Sequence, residues 1–198
     1  MPKKIRKAKI RRKTKETNIL VDLNVDGTGK NSVQTDVGFF DHMMSAFAKH
    51  GFFDLKIEAK GDLHIDEHHT VEDVGIALGE AFKKALGDKH GMARHGHGHV
   101  PLDEAYAEVI LDVCGREYLV YNIKCRKQRI GTFSLQLIEE FFRGFTRSSG
   151  TTLHIHSPYG KNFHHIYECV FKAFGKAMDE ATKIDPRVKG VRSTKGSL

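Results

Sequence analysis

Apolar residues recur along the chain with two periods, and the switches between them outline the elements. Ile19-Leu20-Val21-Asp22-Leu23-Asn24-Val25 alternates and predicts a strand that ends in the turn Asp26-Gly27-Thr28-Gly29. Phe40, Met43, Met44 and Phe47 recur at helical spacing and predict a helix over 38–50. Asp54 to Ala59 alternates again. After His68-His69, a stripe of Val71, Val74, Leu78, Ala81, Phe82 and Ala85 predicts a second helix. Residues 105–113 and 117–123 predict two strands joined at Gly115. Leu135, Ile138, Phe141, Phe142 and Phe145 mark a third helix, and Leu153 to His156 a short strand. Tyr167, Val170, Phe171, Phe174 and Met178 mark a last long helix, which Asp185-Pro186 is expected to end. Arg187 to Leu198 is a polar tail.

The order repeats. A shift of 96 carries His68-His69-Thr70-Val71-Glu72 onto His164-His165-Ile166-Tyr167-Glu168, and Val74, Gly79 and Ala81 onto Val170, Gly175 and Ala177. A shift of 98 carries Asp41, Phe47, Leu55 and Ile57 onto Glu139, Phe145, Leu153 and Ile155. Each half reads helix, strand, His-His-x-x-Glu, helix. The expected fold is therefore α+β and internally duplicated, with residues 1–92 and a basic N-terminal tail as one half and 93–198 with the polar tail as the other.

Charge changes the picture only at one end. The net charge is +7, but residues 1–15 carry nine Lys/Arg and no acid, which leaves 23 basic against 25 acidic residues elsewhere. The excess is a terminal feature, read as a solvated extension or an edge strand, and not a nucleic-acid-binding face. No run of about 18 apolar residues suggests a membrane span. Cys114, Cys125 and Cys169 are odd in number and unpaired in spacing, as expected of reduced thiols in a cytoplasmic protein.

The paired motifs carry the chemistry. On a helix, positions i and i+4 share a face, so His68 with Glu72 and His164 with Glu168 can each chelate one ion. Adjacent residues diverge by about 100°, so His69 and His165 point elsewhere, and the four vectors suit two metals. Imidazole and carboxylate serve Mn, Fe, Zn, Ni and Co alike. His42, at the head of the first helix, reads as a ligand in preference to a capping residue. The 98-residue shift pairs it with Glu140, which is either a carboxylate ligand or a solvated neighbour of Glu139. His50 lies where a helix C-terminal dipole would favour it. His95-Gly96-His97-Gly98-His99 resembles a metal clip, but its glycines read as a loop. His64, His90, His154 and His156 are assigned no chemistry. Arg192 to Ser197, with Arg94, Arg116 and Lys172, offers donors for an anion.

At these residues the chain resembles the imidazoleglycerol-phosphate dehydratases. The resemblance rests on Arg12-Lys13-Thr14-Lys15-Glu16-Thr17, Gly38-Phe39-Phe40-Asp41-His42-Met43, Asp66 to Asp73 and Pro101-Leu102-Asp103-Glu104-Ala105. It continues through Gly150 to Ile155, Asn162 to Glu168, Phe171-Lys172-Ala173-Phe174 and Ser193-Thr194-Lys195-Gly196. It implies a duplicated fold of ribosomal S5 domain 2-like type, each half a sheet covered by helices. It also implies a hydro-lyase of histidine biosynthesis that uses manganese, two ions per active site, on a phosphorylated small molecule. The metal set it implies is His42, His68, His69, Glu72, His164, His165 and Glu168, to which the 98-residue shift adds Glu140. Glu168 is the implied base, with its ligand role the competing one, and Glu16 and Lys172 are its neighbours. Glu16, His50, Arg94, Arg116, Ser193, Thr194 and Lys195 would contact substrate. Subunits of this family assemble as a homo-oligomeric 24-mer of trimers with sites between subunits, without nucleic acid or membrane.

This chain departs from that pattern at three positions. Asp36 stands where glycine is common, so that turn is expected to differ. Ala46 replaces a polar residue near the site, and Glu140 replaces a liganding histidine. Two other functions would use the same motifs: a metal-dependent hydrolase, or a metal-storage or RNA-associated protein using the basic tail. A phosphate anchor remote from the metals favours the lyase over the first, and the body charge argues against the second.

Overall fold

A computed structural model describes residues 5–123 and 128–197. The first half forms β1 (Lys7–Lys13), β2 (Thr17–Asn24), β3 (Asn31–Gln34), α1 (Gly38–His50), β4 (Asp54–Gly61) and α2 (His68–Leu86). The second forms β5 (His95–Leu102), β6 (Ala105–Asp112), β7 (Tyr118–Ile123), the small pair β8 (Arg129–Ile130) and β9 (Phe133–Ser134), α3 (Leu137–Ser149), β10 (Thr152–Tyr159) and α4 (Phe163–Thr182). The two four-stranded sheets have one topology, β1-β2-β4-β3 and β5-β6-β10-β7. In each, the last-named strand pairs in parallel with its neighbour and the rest are antiparallel. The strands expected around Gly115 therefore do not pair with each other, because β10 lies between them.

Alternation explains which face of each sheet is covered. Ile19, Val21 and Leu23 of β2 and Leu55, Ile57 and Ala59 of β4 are buried, while Asp22 and Lys56 face solvent. Val109, Leu111, Leu153 and Ile155 repeat this in the second sheet. Helices α1 and α2 lie against the first sheet and α3 and α4 against the second. The helices meet crosswise, α1 on α4 and α2 on α3, so each half packs its first helix on the other half's second. Phe47 of α1 stacks on Phe174 of α4 at 4.7 Å, and Phe145 of α3 meets Phe82 of α2 edge-on at 5.9 Å. Such ring pairs add about 0.5–1.5 kcal/mol each beyond area burial.

Several expectations change here. The His95-to-His99 run is the strand β5 and not a loop. Its glycines face α4 so closely that a Cβ on Gly96 would lie 2.0 Å from the Ala177 carbonyl oxygen, and one on Gly98 2.1 Å from that of Ala173. The histidines consequently project outward, and the run is the counterpart of β1. The basic N-terminal segment forms edge strand β1 from Lys7, and Arg12 reaches Asp73 of α2 at 2.9 Å. Helix α4 stops at Thr182, before Asp185-Pro186, as Lys183 leaves helical geometry. Asp36 has φ 62°, the left-handed region that favours glycine and that Asp tolerates better than most residues. Ala46 is buried on α1. Cys114 and Cys169 are buried and free, and Cys125 lies outside the described residues. Among the described residues no helix is long and apolar enough to cross a membrane.

The contact at Gly98 leaves no space for a methyl group, and overpacking of this kind costs about 1–3 kcal/mol. Gly98→Ala should lower the urea midpoint accordingly at fixed protein concentration. An unchanged midpoint would show that α4 is free to move off β5.

Candidate active site

Each motif sits in the first turn of its helix, α2 beginning at His68 and α4 at Phe163 behind its N-cap Asn162, and a short polar side chain holds each first histidine's backbone N–H. Asp66 accepts the His68 backbone N–H at 2.8 Å, and Asn162 accepts that of His164 at 3.0 Å. One turn on, the glutamates return to the same face: His68 Nε2 lies 3.5 Å from Glu72 Oε2, and His164 Nε2 lies 3.3 Å from Glu168 Oε2. The second histidines diverge as the helix requires, with rings inclined 85° and 87° to their neighbours. His69 Nδ1 meets Asp62 at 3.0 Å, and His165 Nδ1 meets Glu104 at 3.0 Å.

Helix α1 completes one cluster. His42 Nε2 sits 3.5 Å from Glu168 Oε2, with its ring 5.2 Å from that of His164. His42, His164 and Glu168 thus bring three donor atoms within 4.8 Å of one another, as do Asp103, Glu104 and His165. Imidazole nitrogen beside carboxylate oxygen, partly buried, is a donor set that fits manganese and its first-row neighbours. In the other half, Glu140 on α3 lines a cleft with Glu72, Glu117, Arg143 and Arg147. Arg143 Nε approaches Glu140 at 3.8 Å. The cleft gathers Glu140 and Glu72, but His68, Glu72 and Glu140 do not close to the spacing of the His42 cluster.

Lys172 donates to Glu168 Oε1 at 2.7 Å, one turn along α4. Burial pushes the Glu168 carboxyl up, but the Lys172 hydrogen bond and charge, with His42, outweigh it and hold it below the usual carboxylate range. Asp62 raises the His69 pKa through its hydrogen bond. Glu104 is held down to about 2, chiefly by the Asn162 backbone N–H and then by His165. Glu16 Oε2 stands 4.0 Å from His69 Nδ1. His50 lines a separate cleft with His97, His99 and Lys176, and burial lowers its pKa, with Lys172 adding to the effect.

The expected anion contacts gather elsewhere. Arg94 holds both oxygens of Asp112, at 2.7 and 2.8 Å, and donates to the Arg192 carbonyl at 2.9 Å. Val113 N–H returns to the Arg94 carbonyl at 3.0 Å, so Arg94, the 113–116 loop and the segment bearing Ser193, Thr194 and Lys195 share one end of β6. Glu104 and His165 occupy the other end. The eight residues of β6 put roughly 25 Å between them at strand rise. Sequence reasoning missed Asp62, Asp103 and Glu104 as site residues. Glu104 was legible in principle, since a shift of 88 pairs it with Glu16.

The duplicated α+β architecture, with a histidine–glutamate pair at the start of the second helix of each half, defines the class: a protein with a site built to hold a metal ion. A family model described as imidazoleglycerol-phosphate dehydratase matches residues 35–178. The chain belongs to the imidazoleglycerol-phosphate dehydratase family. It is 55% identical over 194 residues to the imidazoleglycerol-phosphate dehydratase of Caldanaerobacter subterraneus, covering 98% of this chain and 100% of that one. Against that of Acetivibrio thermocellus the identity is 54%, with 98% and 99% covered. A crystal structure of IGPD from Pyrococcus furiosus, in complex with (S)-C348, is similar at a TM-score of 0.83 and 38% identity, over 96% of this chain and 100% of that one. That of the Staphylococcus aureus dehydratase gives 0.81 and 35%, over 90% and 99%.

Removing the Lys172 charge leaves burial as the largest remaining influence on Glu168. In metal-free protein, Lys172→Met should raise the Glu168 pKa, read by NMR of labelled glutamate. The carboxylate's contribution to stability is present above its unfolded pKa and lost as pH falls through its folded value. The variant should therefore carry less of that contribution than the parent, and its stability should fall less as pH is lowered through the carboxylate range. An unmoved Glu168 titration would show that Lys172 does not control it.

Proposed function

We propose that the chain is a hydro-lyase of histidine biosynthesis that removes water from imidazole glycerol phosphate to give imidazole acetol phosphate. The observation that carries this reading is the His42–His164–Glu168 cluster on the duplicated helices of a chain in this family. Residues 1–92 and 93–198 are its two halves, and the cytoplasm is its compartment.

Manganese, two ions per active site, would supply Lewis-acid stabilisation to the ring and the departing hydroxyl. His42, His164, Glu168 and His165 would hold it from one half-site, and His68, His69, Glu72 and Glu140 from the other. The substrate's C2 proton is not next to a carbonyl, so simple enolisation is unavailable. Ring electrons expel the hydroxyl on the adjacent carbon, Glu168 takes the C2 proton, and the resulting enol tautomerises to the ketone. The ammonium of Lys172, 2.7 Å from Glu168, keeps that carboxyl ionised and ready to accept. The same contact weakens it as a base, which supports its competing role as a ligand. Glu16 and His50 contact substrate, while Arg94, Arg116, Ser193, Thr194 and Lys195 bind its phosphate and orient the reacting end.

The length of β6 supports a site built between subunits. A three-carbon phosphate ester cannot bridge roughly 25 Å from His165 to Arg94 in one chain. The phosphate end of one subunit must then meet the metal end of another, in agreement with a 24-mer built of trimers.

A coupled assay for the keto product, with imidazole glycerol phosphate and Mn²⁺, tests the activity directly. Glu168→Gln should lower kcat by about 10²–10⁴ if the carboxylate is the base. Loss of a metal ion on elemental analysis would make Glu168 chiefly a ligand, and full turnover would remove it from the site altogether.

Sharing between subunits has its own test. His42→Ala and Lys195→Ala chains, each defective alone, should regain activity when assembled as mixed particles, because some sites draw an intact end from each. No gain over either parent would place the whole site in one chain.

A further inference from the structure

A glutamate precedes the second strand of each half: Glu16 before β2 and Glu104 before β6. The two are related by the repeat, and both face the second histidine of a motif, yet their bonding differs. Glu104 Oε2 accepts from His165 Nδ1 at 3.0 Å, and Oε1 accepts the backbone N–H groups of Asn162 and Lys161 at 2.6 and 3.1 Å. Both oxygens are engaged. Glu16 stops 4.0 Å from His69 Nδ1 with its side chain 54% exposed. Asp62, at the end of β4, takes that nitrogen instead, with its two oxygens at 3.0 and 3.2 Å.

A carboxylate can only accept, so each bonded Nδ1 carries the ring hydrogen and the neutral ring keeps its lone pair on Nε2. We infer that Glu104 and Asp62 are positioning residues that hold His165 and His69 in this tautomer, presenting Nε2 as the ligand atom. In the first half this task has passed from the β1–β2 turn to Asp62, which releases Glu16 to touch substrate. The inference rests on the dehydratase reading of the site and assigns it two carboxylates that do not themselves ligate. Asp103, Glu104 and His165 lie close enough to suggest a cation site of their own. The N–H donors already filling Glu104, and the hydrogen on His165 Nδ1, argue against it.

Glu104→Gln separates these roles. The amide oxygen still accepts from Asn162 and Lys161, so the start of α4 stays capped. The amide nitrogen, however, donates to Nδ1 and moves the ring hydrogen onto Nε2. Loss of such an outer carboxylate costs about 10–100-fold in metal affinity. Calorimetric titration of Mn²⁺ into chelator-treated protein should show that loss at one site for Glu104→Gln and for Asp62→Asn. Glu16→Gln removes the same charge from the repeat-related position, and should leave Mn²⁺ affinity near that of the parent while lowering kcat. Equal weakening by Glu104→Gln and Glu16→Gln would mean charge alone matters and overturn the inference. So would unchanged affinity in Glu104→Gln, with the dehydratase reading left standing. A parent protein that takes up no Mn²⁺ would overturn the dehydratase reading of the site first. Asp62→Asn carries the same test in the first half if Glu104→Gln fails to assemble.

Discussion

Backbone meets backbone where the two halves cross. A Cβ on Gly175 of α4 would lie 2.4 Å from the Phe47 carbonyl of α1, and one on Gly79 of α2 would lie 2.6 Å from the Phe145 carbonyl of α3. Gly79 and Gly175 are repeat partners, as are Phe47 and Phe145, so this is one contact made twice with the halves exchanged. Only glycine permits helices to approach so closely. The approach sets the reach of the side chains one end further along. His42 comes from the first half and His164 and Glu168 from the second, and they meet because α1 lies directly on α4. Neither half could assemble that cluster alone. The reciprocal crossing brings Glu140 of the second half to the cleft of Glu72 in the first.

Duplication also explains why the halves have parted where they have. Sheet topology, strand register and helix crossing are retained, since each buries the same apolar face. The polar residues at the helix N-termini are under no such constraint. The second histidine of each motif needs a carboxylate partner, but the fold offers two places to put it. One half uses the turn before its second strand and the other the end of its fourth, β4. The His42 and Glu140 positions differ in the same way: equivalent backbone, different donor chemistry.

Electrostatics and distance then divide the labour across the surface. Histidines and carboxylates at one end of the second sheet surround Glu168, with Lys172 keeping it ionised despite its burial. At the other end, Arg94 is braced by Asp112 and tied to the C-terminal segment. Strand β6 is a rigid spacer between these regions, and under the proposed function a small phosphorylated substrate would reach both only with a second copy of the chain. On this view assembly completes the site.

Much of this was legible in the sequence. Helical stripes such as Phe40-Met43-Met44-Phe47 mark buried faces because apolar residues must leave water on one side, and α1 spans the expected residues 38–50. The repeated His-His-x-x-Glu fixed the i, i+4 pairing and the divergence of adjacent imidazoles, since both follow from helical geometry alone. The duplicated architecture was legible for the same reason. What it could not yield were facts created by packing. The His-Gly-His-Gly-His run has no apolar alternation, and it becomes a strand by pairing with β6 while α4 passes over Gly96 and Gly98. Asp62 and Glu104 are ordinary acids in the chain, and become partners of His69 and His165 only when the strand ends meet the helix starts. The meeting of His42 with Glu168, 126 positions later, depends on helices crossing between halves. Local periodicity carries no information about that, and the tertiary structure alone decided it.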